Sequence, residues 1–304
     1  MDKILSPITK TENIKYIRTI NTDWIISQYM KSYAYDVSYL FIDIKKLDLF
    51  QCVDSGYMFF IPGIMGDSSF YAHLAKQPWY YMHWKWEHEA ISNLLKEDMN
   101  VLEIGCAEGH FLEKIKSLYK CKTTGLEMNL DAISKARDKG IKIHNETIQE
   151  HSLLLNNQYD LICSFQVLEH IADVGSFIEA CINCLKPDGK LIISVPNNKS
   201  FVAETDQILN MPPHHVGLWD DHSLRSIAGI YGLTIDKIIL EPLQDYHLEF
   251  FKSIVYRKVL GKKYENRIIR KMYNELLLKP FVAKHLEYVT KWVPGHTILA
   301  VYTK

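Results

Sequence analysis

The chain has 304 residues, 47% hydrophobic and 23% charged, which suits one large or two modest globular domains around a sizeable core. Its 35 basic and 36 acidic side chains leave a net charge of −1, so no global positive field exists to hold a nucleic acid. No stretch approaches the roughly twenty apolar residues of a membrane span, and the opening MDKILSPITK has no apolar signal core; a cytoplasmic protein is expected.

Residues 1–76 read as a leading module of mixed α/β character. The runs SYLFID, LDLFQCV and GYMFFIP are short, aromatic or β-branched, and separated by the turn signals Asp54-Ser55-Gly56 and Pro62-Gly63, which predicts strands. The first thirty-odd residues, with NTDWIISQYM, read as more helical. From Trp84 onward, Trp86, Ala90, Ile91, Leu94 and Leu95 fall at helical spacing, predicting an amphipathic helix ahead of the first core strand. The aromatic cluster Trp79, Tyr80, Tyr81, Trp84 and Trp86 has two readings, a packed interface between module and core or a lid over a ligand.

VLEIGCAEGHF, residues 101–111, reads as a short buried strand, a glycine-rich turn and the start of a helix. Gly105 and Gly109, with Glu103 just upstream, leave backbone N–H groups and a helix N-terminus open to a ligand. The next strand, KTTGLE, ends at Glu127, placed to accept hydrogen bonds from the two hydroxyls of a ribose. A dinucleotide turn would carry glycine at position 107; Ala107 there disfavours a nicotinamide dehydrogenase.

NLDAISKARDK predicts a helix closed by Gly140, and IKIH a third strand followed by Thr147, Ile148 and Gln149. YDLICSF (159–165) is the fourth strand, QVLEHI leads into a helix, and Phe165 and Gln166 sit at the strand's ligand-facing end. A helix over 174–184 carries Cys181 and Cys184, whose zinc-like spacing lacks a second ligand pair, so no metal is expected and the six cysteines read as small buried hydrophobes. Pro187-Asp188-Gly189 turns the chain into a fifth, buried strand over 190–195. LTIDKIILEPL (233–243) and VPGHTILAVYTK (293–304) are the last two strands, with 244–292 a helical insertion between them.

The Glu-x-Gly-x-x-x-Gly turn with its second-strand acid resembles motif I of the class I S-adenosylmethionine (SAM) methyltransferases. FQVLEHI after Tyr159-Asp160, LKPDGKLIISVPN and NMPPHHVGLWD (210–220) follow in the order of a bacterial branch related to the quinone-biosynthesis and type 11/23 groups. That branch also carries GD..FY..L and WYY..KWEH segments, matched here by Gly66-Asp67, Phe70-Tyr71, Leu74 and residues 79–88. The similarity covers about residues 35–240 and the last strand; Asp188-Gly189 stands where Gly-Gly is usual.

The resemblance implies a doubly wound α/β sheet of seven strands in the order 3-2-1-4-5-7-6, strand 7 antiparallel, in a SAM-binding domain over 77–304. It implies SAM as cofactor, held by Glu103, Gly105, Cys106, Ala107, Gly109, Glu127 and Met128. Thr147, Ile148 and Gln149 would meet the adenine, Phe165 and Gln166 the methionine part, and Lys85 or His88 the methionine carboxylate or the acceptor.

Methyl transfer is an in-line displacement, and a hydroxyl acceptor also needs a base within hydrogen-bond reach. His214 and His215, in the proline-stiffened loop after the fifth strand, are the first candidates, and Glu169 with His170 the second pair. Each pair has an alternative structural reading. Over 252–271 there are eight Lys or Arg against one Glu, either a solvated helical face or a rim for an anionic acceptor. The expected acceptor is a small or carrier-bound metabolite methylated at oxygen, such as a sugar of a surface-glycan pathway. The alternatives are a quinone or lipid-ring methyltransferase and a catalytically inactive SAM-binding partner.

Overall fold

A computed structural model of the chain describes residues 3–77, 80, 82–204, 207–261, 268, 271–272, 275–276, 280 and 292–304. It opens with strand β1 (Ile14–Asn21), helix α1 (Thr22–Tyr33), and strands β2 (Lys46–Cys52) and β3 (Met58–Ile61). The Asn21 side chain caps α1 by accepting from the Asp23 N–H at 2.7 Å. Helix α2 (Ser68–Leu74) is capped in the same way by Asp67, which accepts from the Phe70 N–H at 2.9 Å.

Two expectations fail in this module. Residues 14–21 form a strand where helix was expected, because β1 is a sheet edge that is mostly solvent-exposed and shows no inside-outside alternation. SYLFID is no strand; Ser38–Phe41 makes a single 3-10 turn that buries only Phe41. The amphipathic helix before the core is also shorter than its apolar spacing suggested. α3 (Trp86–Ala90) gives way to a 3-10 turn at Ser92–Leu94.

The core alternates as expected: β4 (Asn100–Ile104), α4 (His110–Tyr119), β5 (Lys122–Leu126), α5 (Leu130–Asp138), β6 (Lys142–His144), α6 (Ile148–Ser152) and β7 (Tyr159–Phe165). QVLEHI yields only a 3-10 turn, Leu168–His170, before α7 (Val174–Cys184). Then come β8 (Leu185–Pro196), the short β9 (Gly217–Leu218), α8 (Asp221–Tyr231), β10 (Thr234–Pro242), α9 (Asp245–Leu260) and β11 (Pro294–Thr303). The large sheet runs β10-β11-β8-β7-β4-β5-β6, with β11 antiparallel to both neighbours and the five strands from β6 to β8 parallel. Counted from β4 as strand 1, this is the expected 3-2-1-4-5-7-6 order. No helix among the described residues is long and apolar enough to cross a membrane, and all six cysteines are buried and unbridged.

The leading module does not close on itself. Its antiparallel sheet runs β1-β2-β3-β9, so its last strand is borrowed from the segment that follows β8. Trp219, fully buried, then stacks on Tyr57 with ring centroids 4.2 Å apart and bridges to Asn197 just beyond β8. Cys52, Tyr57 and Phe59 of the small sheet share one core with Leu102, Ile162 and Ile193 of the large one. The loop between β8 and β9 is therefore held between two sheets. Replacing Trp219 by Ala should cost about 3–5 kcal/mol of stability, read as a lowered urea midpoint at unchanged m-value.

Candidate functional site

The parallel strands end at one edge of the sheet, and the turn after β4 forms its floor. Gly105 has φ +71°, and a Cβ there would lie 2.5 Å from Val167 Cγ2, so both the backbone and the neighbour require glycine. Ala107 also has positive φ, at 46°. Its N–H donates to Glu127 Oε2 at 2.8 Å, while Glu127 Oε1 accepts from the N–H groups of Met128 and Asn129, each at 2.8 Å. One carboxylate thus ties the first turn to the second.

A cleft above this turn is lined by Tyr80, Lys85, His88, Glu103, Gly105, Cys106, Ala107, His110 and Phe165, among others. Glu103 is 5% exposed and its Oε2 has no hydrogen-bond partner among the described residues. Burial pushes its pKa up to about 8, with Lys85 opposing and Glu127 adding to the rise. Lys85 lies 3.9 Å from Glu87 Oε1, and its charge also favours ionisation of Glu103 and Glu169. His88 packs between Phe111 and Phe165 at centroid distances of 4.9 Å, and burial holds it neutral with a pKa of about 3.

A second group lies beyond Tyr80, whose ring is 6.2 Å from that of His214. The loop that carries His214 and His215 is fastened to the turn carrying Glu169 and His170, through the Val216 N–H donating to the Glu169 carbonyl at 2.9 Å. Glu169 Oε1 is 3.9 Å from Nε2 of both His170 and His215, and its Oε2 is buried without a partner. His214 Nδ1 faces the Leu209 carbonyl at 2.9 Å, His215 Nδ1 faces Asn210 Oδ1 at 3.1 Å, and His170 Nδ1 faces the His214 carbonyl. Burial pushes Glu169 up to about 8, lowers His170 to about 4 despite the His214 and Gln166 carbonyls, and holds His214 and His215 well below the ordinary histidine range.

A family model described as a methyltransferase domain matches residues 79–238, just over half of the chain. The chain belongs to this methyltransferase family. Similar curated proteins include the ubiquinone biosynthesis O-methyltransferases of Sodalis glossinidius, 28% identical over 160 residues, and of Salmonella paratyphi A, 32% identical over 124. Those matches take in 49% and 37% of this chain and 61% and 51% of the relatives, so the chain spans little more than half of their length. A SAM-dependent methyltransferase from Archaeoglobus fulgidus superposes over 77% of this chain and 100% of its own, with TM-score 0.53 at 16% identity, which shows a shared fold.

The methyltransferase's expected cofactor residues fall into three groups. Glu103, Gly105, Cys106, Ala107, Phe165 and Lys85 line the cleft, and Glu127 braces its floor. Gly109 caps α4 from the far side, where its missing Cβ makes room for Ala136, and Met128 is exposed. Thr147, Ile148 and Gln149 have structural partners: Thr147 caps α6, Ile148 is core, and Gln149 bonds to Ser176 Oγ at 3.0 Å. Gln166 ends β7 with φ 58° and a buried, unpartnered Nε2, a conformation that sequence could not announce. Sequence reasoning also passed over Glu87 and Asn210, though both stand inside quoted motifs, KWEH and NMPPHH. Trp79 and Tyr81 lie outside the described residues.

Gly105→Ala should weaken S-adenosylhomocysteine binding at least tenfold by calorimetry. Adding Val167→Ala should recover part of that loss, leaving the backbone strain of about 1–3 kcal/mol. Glu127→Gln, which sets an amide NH2 against an N–H donor, should lose binding more severely than Glu127→Asp.

Proposed function

We propose that this SAM-dependent methyltransferase methylates a hydroxyl oxygen of a small or carrier-bound metabolite, with a sugar of a surface-glycan pathway as the preferred acceptor. The chemistry of the cleft fits the cofactor. Glu103, a buried carboxyl lacking a partner among the described residues, suits the methionine ammonium; Lys85 suits the methionine carboxylate; the turn at 105–107 brings backbone to the cleft; and Glu127, with three N–H groups accepted, keeps one lone pair on Oε2 for a ribose hydroxyl. When bound, SAM supplies a sulfonium methyl that any aligned nucleophile can take. Tyr80, Lys85 and His88 line the cleft, while Trp84 and Trp86 pack against the core, in keeping with the first reading of the aromatic cluster.

The observation that carries the choice of oxygen is the Glu169, His170, His214 and His215 group. Its Nδ1 protons are already engaged, and His214 Nε2 is buried without a partner among the described residues, so the rings offer acceptors and not donors. Such a surface accepts an O–H. Beside it, reached through Asn210 and Met211, lies a cavity of about 200 Å³ whose wall mixes Arg18 and Asn198 with Leu49, Met58 and Leu218. Polar edges and apolar faces of this kind suit a hydroxylated ring. The names of the curated relatives, ubiquinone biosynthesis O-methyltransferases, favour a quinone or lipid ring as the second reading. The basic stretch 252–271 stays a proposed rim for an anionic acceptor; Lys262 and Lys263 lie outside the described residues.

Incubation with SAM and a panel of nucleotide-linked sugars, lipid-linked sugars and catechols, followed by S-adenosylhomocysteine release, should show turnover with a sugar. Turnover confined to catechols would establish the second reading, and turnover with none of them alongside tight cofactor binding would point to the catalytically inactive partner. Cofactor binding should also depend on pH with a fixed sign. A cation favours ionised Glu103, whose carboxyl otherwise keeps its proton up to about pH 8. S-adenosylhomocysteine affinity should therefore strengthen from pH 6 to 7.5, approaching tenfold per unit, and Glu103→Gln should flatten the slope.

A further inference from the structure

Four side chains from two distant segments bring electron pairs into one buried space. One ligand nitrogen from each of His170, His214 and His215 lies within 4.8 Å of the others. The Nδ1 partners are all oxygens: the His214 carbonyl, the Leu209 carbonyl and Asn210 Oδ1, whose own amide nitrogen is spent on Asn198 Oδ1 at 2.7 Å. The carbonyl and amide oxygens place the proton on Nδ1 of each ring, although His170 Nδ1 also has the Tyr71 hydroxyl at 3.3 Å and the Gln166 carbonyl acts on the same ring. His214 Nε2 is fully buried with no partner, as is Glu169 Oε2. Glu169 Oε1, 3.9 Å from Nε2 of both His170 and His215, is beyond hydrogen-bond distance of either, and a single carboxyl proton can serve only one of these lone pairs.

We propose that His170, His214 and His215 bind a divalent transition-metal ion through one ring nitrogen each, with the Glu169 carboxyl standing beside the set and a coordination position left open. A single cation answers all the unpaired electron pairs together. Imidazole-rich sets select zinc, iron, copper or nickel over magnesium, which prefers oxygen. Carbonyl and amide oxygens on the outer ring nitrogens are the supports that orient metal-bound histidines. At a metal–nitrogen distance of about 2.0–2.1 Å, the ring nitrogens draw together by roughly an ångström from their present spacing. The Val216 to Glu169 backbone bond already holds the two ligand-bearing segments in register. The inference deepens the reading of this site as the acceptor end of the enzyme and rests on that reading only for its purpose. An ion there would take the acceptor's hydroxyl oxygen and lower its pKa.

The test uses the full chain purified without a histidine tag, stripped with a chelator and titrated calorimetrically with zinc, with metal content measured by mass spectrometry and S-adenosylhomocysteine affinity measured in parallel. One zinc per chain is expected, with a gain in thermal stability. His214→Gln and His215→Asn should each weaken zinc binding by at least about 100-fold. Asn210→Ala, which removes a support and no ligand, should weaken it about 10–100-fold. All three should keep S-adenosylhomocysteine affinity, which shows that they are folded. Stoichiometry well below one, or zinc affinity unchanged in His214→Gln and His215→Asn, overturns the proposal. Zinc bound at one per chain with no affinity for S-adenosylhomocysteine would support the metal site and overturn the cofactor reading instead.

Discussion

The site hangs on the carboxylate of Glu127. Its two oxygens accept three backbone N–H groups, from Ala107 on one turn and from Met128 and Asn129 on the next. Carboxylate hydrogen bonds to N–H groups are charge-assisted and among the stronger ones in a protein. They hold Ala107 at positive φ without glycine's freedom, and with it the whole turn from Gly105 to Gly109. The Leu126 carbonyl completes the joint by accepting from the N–H groups of both Gly105 and Cys106. An acid that is read from sequence as a sugar-binding group is thus also the clasp that shapes the turn below the cleft.

The interior also buries several carboxyls. Glu87, Glu103, Glu169 and Glu241 are each at most 5% exposed, and the first three have an oxygen without a partner. Lys85 is the cation whose field reaches Glu87, Glu103 and Glu169. Burying so many carboxyls is costly, and burial answers by raising their pKa values, Glu241 to about 7 and Glu103 and Glu169 to about 8. Such strain persists where a ligand repays it. Under the reading proposed above, the repaying groups would be cationic or hydrogen-bond donating, such as an ammonium at Glu103.

Much of the large sheet was legible because β4, β7 and the second half of β8 are nearly continuous apolar runs. Yet β8 already begins at Leu185 and takes in Pro187-Asp188-Gly189, read from sequence as a turn before the strand. YDLICSF and the helix after it fell where the pattern put them. What stayed hidden was non-local. β1 is exposed and follows no alternation, and the two residues of β9 acquire strand character only from pairing with β3. The same holds for the site. Glycine spacing revealed the tight turn after β4 that lines the cleft, and the two histidine-bearing motifs were visible separately. Nothing in a linear reading says that residues 169–170 and 214–215 meet, nor that Thr147, Ile148 and Gln149 are taken up by a cap, a core contact and a bond to Ser176.

The borrowed strand explains why a leading module is attached at all. β9 follows His215 by one residue, and the Phe60 N–H of β3 donates to the Val216 carbonyl at 3.1 Å while the Val216 N–H donates to Glu169. Val216 is therefore bonded on one side to the small sheet and on the other to the turn after β7. Any displacement of the small sheet must drag His214 and His215 against Glu169 and His170, spreading or closing the gap between their nitrogens. A loop fixed only at the end of β8 would leave that gap to thermal motion; pinned between two sheets, the imidazoles are aimed before any ligand arrives, which is the condition under which positioning contributes most to rate.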